Sequence, residues 1–234
     1  MSTIQTSRAD GLRASLAFVG GTGKLGRGLG LRLAAAGHGV LLGSREEERA
    51  LDAAAQLRER LVGAGYDPKG VEGMGNAVAV TRADMVFLTL PFDTLDAFLA
   101  EHGALLDGKI VVDVVNPLQL VEGRFTLVPV DEGSVGLRVR RLVPRARVVS
   151  AFKNAAAAHL LRLDRPAAGD ILIAADDTAA GTAVHALVRE IPALRPLHAG
   201  PLANGAFLES LTALELNLNR IHKALTSIRI LGID

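Results

Sequence analysis

The sequence has no cysteine and no tryptophan, and only one tyrosine in 234 residues. Without cysteine there can be no disulfide framework, no thiolate nucleophile and no Cys-based zinc or iron–sulfur site. The six histidines are scattered and none falls in an HExxH arrangement, so no metal site is expected. No apolar run approaches the ~18 residues of a membrane span. The opening stretch MSTIQTSRADGLRA lacks the apolar segment of a signal peptide. Residues 1–14 therefore read as a loose extension on a cytoplasmic protein. Formal net charge is +1 with no dense basic block, which argues against nonspecific nucleic-acid binding.

What is present is apolar. Hydrophobic residues make up 49% of the chain and charged residues 22%, enough to build one generous domain or one domain with a small appendage. Strand-like runs at 15–20 (SLAFVG), 39–44 (GVLLGS), 84–90 (DMVFLTL), 109–115 (KIVVDVV) and 146–152 (ARVVSAF) alternate with helical stretches at 24–37, 46–64 and 92–105. VEGM at 71–74 is a weaker strand candidate. Such alternation predicts an α/β fold with a doubly wound, mostly parallel sheet. After residue 155 come a strand at 170–176, a helix in DTAAGTAVHALVREI, a strand in LRPLHAG, and a long helical stretch from Leu202 to Leu231. In that stretch Leu211, Leu214, Leu218, Ile221, Leu225 and Ile228 recur at steps of three and four, marking a buried face. Packing onto its own domain is the favoured reading, a helix–helix dimer seam the alternative.

Gly21-Thr22-Gly23-Lys24-Leu25-Gly26 is a G-x-G-x-x-G lying between the first strand and the first helix. The first glycine permits the tight turn and the second lets a pyrophosphate approach the backbone. The third permits close helix–strand contact, and the helix N-terminus offers free N–H groups. Strand, loop, helix and second strand fall in the order that confirms a dinucleotide site.

The end of the second strand should lie beside the adenosine ribose. An acid there would bond the 2′-hydroxyl of NAD, but this chain has Ser44 and Arg45, with Arg49 one helical turn on. A hydroxyl and two guanidiniums can hold a 2′-phosphate that a carboxylate would repel. A capping role for Ser44 is compatible with this. The expectation is NADP(H) over NAD.

No proton donor to a carbonyl stands out. Tyr66 lies in YDPK, so Lys69 is three positions on rather than four and no Tyr-x-x-x-Lys dyad exists. Two loops at the carboxyl edge of the sheet are placed to face a nicotinamide. Pro91 and Phe92 taken alone read as packing residues; Asn116 before Pro117 could satisfy a turn or hold the carboxamide. In FKNAAAAHLL, Lys153 and Asn154 form a surface turn or line a second-substrate pocket. Hydride exchange between two organic cofactors asks for little acid–base help from protein, which must mainly align two rings and exclude water.

Several stretches together, VGGTGKLGRGLGLRLAAAGH, GSREEER, TLPFD, VVDVVNPL, LRPLHAGPL and LESLT, resemble the NADPH-dependent reductases of the deazaflavin coenzyme F420. The resemblance runs from about residue 15 to 231. It implies a Rossmann-type domain over 15–152, a small C-terminal substrate and dimerisation part over 153–234, a homodimer, and hydride transfer between NADP(H) and coenzyme F420. It also implies Thr22 to Leu25 on the pyrophosphate, Ser44, Arg45 and Arg49 on the 2′-phosphate, and Phe92 beside the cofactor. The deazaflavin pocket would fall on Lys153, Asn154, Ala155 and Ala156, with Ser210 and Thr212. Family members carry His where Lys153 stands, and some carry Arg where this chain has Ala206. Two other readings fit the residues alone: a small-carbonyl or imine reductase using Lys153 as proton donor, and a non-catalytic NADP(H) sensor.

Overall fold

A computed structural model describes residues 13–233. Most of the extension expected at 1–14 thus lies outside the described residues. Arg13 and Ala14 are described, and Ala14 is buried, its carbonyl accepting the Gly39 amide at 2.8 Å.

Strands β1 (Ser15–Val19), β2 (Gly39–Ser44), β3 (Val71–Gly75), β4 (Met85–Leu88), β5 (Ile110–Asp113), β8 (Arg147–Ser150), β9 (Gly169–Ala175) and β10 (Leu194–His198) form one sheet ordered β10-β9-β8-β5-β4-β1-β2-β3. From β3 to β8 every pairing is parallel, so helices must return the chain after each strand. Here α1 (Lys24–Ala35), α2 (Glu47–Gly63), α3 (Asn76–Arg82) and α4 (Phe92–His102) do so. The order reverses at β1, which pairs with β2 on one side and β4 on the other; this opens a crevice at the carboxyl ends of the strands. β9 then joins β8 antiparallel, and β10 follows β9 in parallel.

The period-two pattern of β1 divides the core. Leu16 and Phe18 pack into one apolar layer with Leu29, Leu42, Leu57, Phe87 and Phe152. Ala17 and Val19 face the opposite layer with Leu41, Val86, Leu95 and Val139. Both faces are covered, which explains why these strands read as continuous apolar runs.

Between β5 and β8 lie two elements that the alternation does not announce. A hairpin, β6 (Leu118–Val121) with β7 (Arg124–Leu127), turns through Glu122 and Gly123 at φ 48° and 75°. Then α5 (Val135–Leu142) is capped by Ser134, whose hydroxyl accepts the Leu137 amide at 3.2 Å. The segment after β8 contains one short turn of helix, α6 (Ala157–Leu160), and α7 (Thr178–Arg189) links β9 to β10.

The last helix departs from expectation in length and in face. α8 runs Gly205–His222 and stops there, with Lys223 left-handed at φ 49°. Asn219 ends it: its side-chain oxygen accepts the Thr226 amide at 2.6 Å and its carbonyl the Ala224 amide at 3.2 Å. The tail is then claimed by β9, for Asp170 accepts the Ile230 amide at 2.6 Å and gives its own N–H to Ile228 at 2.9 Å. The buried side of α8 holds Leu208, Glu209, Thr212, Ala213 and Glu215, whereas Leu214 and Ile221 of the expected seam are exposed. Leu211, Leu218 and Ile228 of that seam are half-buried and Leu225 is exposed, so its own domain covers only part of it. Asn217 instead docks the hairpin on α8, accepting the Phe125 N–H at 2.8 Å and donating to its carbonyl at 2.9 Å.

Candidate functional site

The turn after β1 is held from both sides. Gly21 N–H donates to the Phe18 and Gly43 carbonyls at 3.0 and 2.9 Å. A Cβ on Gly21 would meet the Phe18 oxygen at 2.6 Å, and one on Gly26 the Gly21 Cα at 2.7 Å. The fold itself therefore requires those two glycines. Gly23 differs, since a Cβ there would meet only the Gly20 oxygen, at 3.7 Å. Its φ is −70°, which any residue can adopt. Nothing in the protein demands glycine at this exposed position. Gly23 is also the N-cap residue of α1, no side chain caps that end, and no acid stands in its first turn. A helix end left with free N–H groups and a bare backbone beside it fits an anion that comes close to the chain. Thr22 and Leu25 are half-buried beside it, and Lys24 is exposed.

Ser44 ends β2 and is buried, while Arg45 and Arg49 are exposed. The Ser44 hydroxyl accepts the Glu46 amide at 3.2 Å, and the N-cap residue of α2 is Glu46 rather than Ser44. Arg49 lies 3.4 Å from Glu46, an exposed pair of small energetic weight. The end of β2 thus presents one hydroxyl and two available guanidiniums.

On the other side of β1, Thr89 is bonded to the Val19 carbonyl through its amide at 3.0 Å and its hydroxyl at 2.7 Å. Pro91 is exposed at the cap of α4; Phe92, half-buried, packs on the second apolar layer. After β5, Pro117 is buried and Asn116 half-buried. Asn116 Nδ2 donates to the Lys153 carbonyl at 3.0 Å, and its Oδ1, buried, has no partner.

Lys153 points inward. Its Nζ lies 2.8 Å from Asp113 Oδ2 and 3.1 Å from Glu209 Oε1, with all three side chains essentially without exposure, and it donates to the Val115 carbonyl. Asp113 also accepts from Ser150 Oγ at 2.8 Å and from Val115 N–H at 3.0 Å. Glu209 accepts the Val135 amide at 2.9 Å. Burial pushes the Glu209 carboxyl up from its ordinary range, opposed by the Lys153 ammonium. The cluster ties β5, α5 and α8 to the segment after β8. Its two carboxylates have no local signature beyond a charged residue interrupting an apolar run (Asp113 in KIVVDVV) and an acid inside LESLT.

The backbone turns into this cluster at Phe152, whose φ is 56°. A bulky residue held there is strained, and its burial against Phe87, ring centroids 6.0 Å apart, keeps it in place. Asn154 Nδ2 donates to the Asp170 carbonyl at 2.7 Å, leaving its Oδ1 buried and unpartnered. Ala155 and Ala156 are half-buried. The following turn is fastened to α1: Arg32, buried, donates to the Leu160 and His159 carbonyls at 3.0 Å each. A Cβ on Gly28 would meet Leu160 Cβ at 2.9 Å. On α8, Ser210 is exposed and Thr212 buried, each hydroxyl returning to the carbonyl four residues back, Ala206 and Leu208. Among the described residues no cluster of three or more metal-ligating side chains occurs.

Residues 15–117 match the family model described as NADP oxidoreductase, coenzyme F420-dependent. The F420-dependent NADP reductase of Methanothermobacter thermautotrophicus is 36% identical over 208 residues, covering 87% of this chain and 88% of that protein. Its counterpart from Methanocaldococcus jannaschii is 35% identical over 224 residues, 94% and 99% of the two chains. A crystal structure from Arthrobacter sp. FB24, assigned as an F420-dependent NADP reductase, superposes with a TM-score of 0.77 at 24% identity over 93% of this chain and all of that one; at that identity the likeness speaks for the fold. Sequence kinship over nearly the whole length of these two reductases is of another order, and by it the chain belongs to the family of coenzyme F420-dependent NADP oxidoreductases.

Proposed function

We propose that this protein exchanges hydride between NADP(H) and coenzyme F420. The observation that carries the nucleotide half is Gly23, a glycine that the fold does not need, at the uncapped N-terminus of α1. The first-turn N–H groups of α1 receive the pyrophosphate, and Ser44, Arg45 and Arg49 receive the 2′-phosphate. NADP(H) and the deazaflavin supply the redox chemistry between them. The chain's own task is to hold two rings together and keep water out.

Asn116 is well suited to orient the nicotinamide. One N–H of Nδ2 is committed to the Lys153 carbonyl while the acceptor oxygen has no partner in the protein, and a carboxamide offers the matching N–H. Pro91, Phe92 and Pro117 give that end of the site its apolar wall. The acceptor side is the C-terminal part, residues 153–234, where Asn154, Ala155, Ala156, Ser210 and Thr212 form the deazaflavin pocket. Lys153 serves that pocket from within: its ammonium is engaged by Asp113 and Glu209, an arrangement that suits an anchor and not a proton donor to a carbonyl or imine.

The protein acts as a homodimer in the cytoplasm. What supports the dimer is the exposed apolar strip of Phe207, Leu214 and Ile221 on α8, with Leu120 and Val121 also exposed on the hairpin. A twofold axis lets one copy of this strip cover another. Light scattering should give twice the chain mass, and Leu214→Glu should halve it. No helix among the described residues is long and apolar enough to cross a membrane.

The function is tested by mixing protein, NADPH and oxidised deazaflavin and following the deazaflavin's visible band. Rapid bleaching with NADPH and slow bleaching with NADH is expected. Binding of NADPH without bleaching would reject the acceptor, and the protein would then be a reductase of something else or a sensor.

A further inference from the structure

The brace behind the glycine turn comes from β3, the strand that the sequence marks only weakly. β3 pairs with β2 in parallel register, Ser44 opposite Gly75, so the next residue, Asn76, stands at the carboxyl edge next to the end of β2. Asn76 is buried, 6% exposed. Its Oδ1 accepts the Gly20 N–H at 3.2 Å. Gly20 opens the nucleotide turn at φ 68°. Gly43 leaves the room this bond needs, since a Cβ there would meet Asn76 Oδ1 at 2.6 Å and Asn76 Cα at 3.2 Å. The Gly43 carbonyl accepts the Gly21 N–H. One amide side chain therefore sets the glycine turn against the strand end that carries Ser44.

The orientation of that amide is dictated by chemistry, because only its oxygen can accept from Gly20 N–H. Nδ2 lies on the other side of the amide, and among the described residues it has no protein acceptor. A donor so placed, at the strand end that presents Ser44 and Arg45, bonds a charged 2′-phosphate more strongly than a bare 2′-hydroxyl.

We propose that Asn76 is a nucleotide-selectivity residue, its Oδ1 positioning the Gly20–Gly21 turn and its Nδ2 donating to the 2′-phosphate side of the site. This rests on the NADP(H) reading above. Two variants of the full chain separate the two roles. Asn76→Asp keeps the acceptor for Gly20 N–H but replaces the donor by a negative charge. It should weaken NADPH binding by at least about tenfold, the scale of one lost hydrogen bond to a charged group. NADH should change by less than about threefold, since a carboxylate there can bond a free 2′-hydroxyl. Asn76→Ala removes the brace and should weaken both nucleotides. The readout is a pair of dissociation constants from NAD(P)H fluorescence titration, with thermal melts to verify folding. Equal weakening of the two nucleotides by Asn76→Asp, or no weakening at all, overturns the proposal. If the unaltered protein binds neither nucleotide, the NADP(H) reading falls and this inference with it, a result that needs no variant and so cannot be mistaken for the other.

Discussion

The ammonium of Lys153 lies 2.8 Å from the carboxylate of Asp113, and neither side chain is exposed to solvent. Glu209 closes the group at 3.1 Å from the same nitrogen. One cation between two buried carboxylates is stable only while the cation is present, because an uncompensated buried charge is costly. Lys153→Met should therefore destabilise the fold by about 3–5 kcal/mol in urea denaturation. Adding Glu209→Gln to that variant should recover part of the loss, since the amide oxygen can still accept the Val135 N–H and one of the two stranded charges is gone. An unchanged denaturation midpoint in Lys153→Met would show that the cluster holds nothing together.

The glycines of the nucleotide turn give a sharper contrast. Gly23→Ala should leave thermal stability within about 2 °C of the parent, since its Cβ meets only the Gly20 oxygen, at an ordinary contact distance of 3.7 Å, yet should raise the KM for NADPH at least tenfold by keeping a phosphate off the backbone, on the order of 1.4 kcal/mol. Gly26→Ala should do the reverse and lower stability first, its Cβ colliding with Gly21 Cα at 2.7 Å. Thermal melts and initial rates on both variants decide it.

That contrast shows what was legible in the sequence. The turn, the two strands around it and the end of β2 are encoded in contiguous residues, and their spacing alone places them at one edge of the sheet. Asp113 and Glu209 come to Lys153 from β5 and α8, and only the topology brings them together. Asn76 was hidden for the same reason, since β3 is short and its neighbour in space, Gly20, is remote in the chain. The apolar spacing on the last helix was real, but periodicity says that a face is apolar and not what covers it. The helix also stopped early because Asn219 and Asp170 offered its backbone better partners than another turn.

Arg45→Ala tests the 2′-phosphate assignment. The KM for NADPH should rise at least tenfold and that for NADH less than threefold, about the weight of one charge-assisted contact. Initial rates against each nucleotide measure this, and equal effects on both would remove Arg45 from the site.

Glu215 should leave a mark on the pH dependence of stability. It is buried on α8 with Oε1 unpartnered, and burial pushes its carboxyl up to about 7. Because the folded state favours the protonated form, its contribution is complete below the ordinary carboxyl range and is lost as pH rises through about 7. Glu215→Gln should melt with the parent at pH 4.5 and above it, by at least about 2 °C, at pH 8. Parallel melting curves across that range would mean that the carboxylate is solvated.

The central claim is direct transfer of hydride between two bound cofactors, and isotope labelling reaches it most directly. A deazaflavin has carbon where a flavin has its reactive nitrogen, so a transferred hydrogen stays in the product. With NADPH deuterated at both C4 positions, one deuterium should appear in the reduced deazaflavin by mass spectrometry, in light water, with a primary isotope effect on the bleaching rate. Reduced deazaflavin without deuterium, or none formed although NADPH binds, would contradict the account.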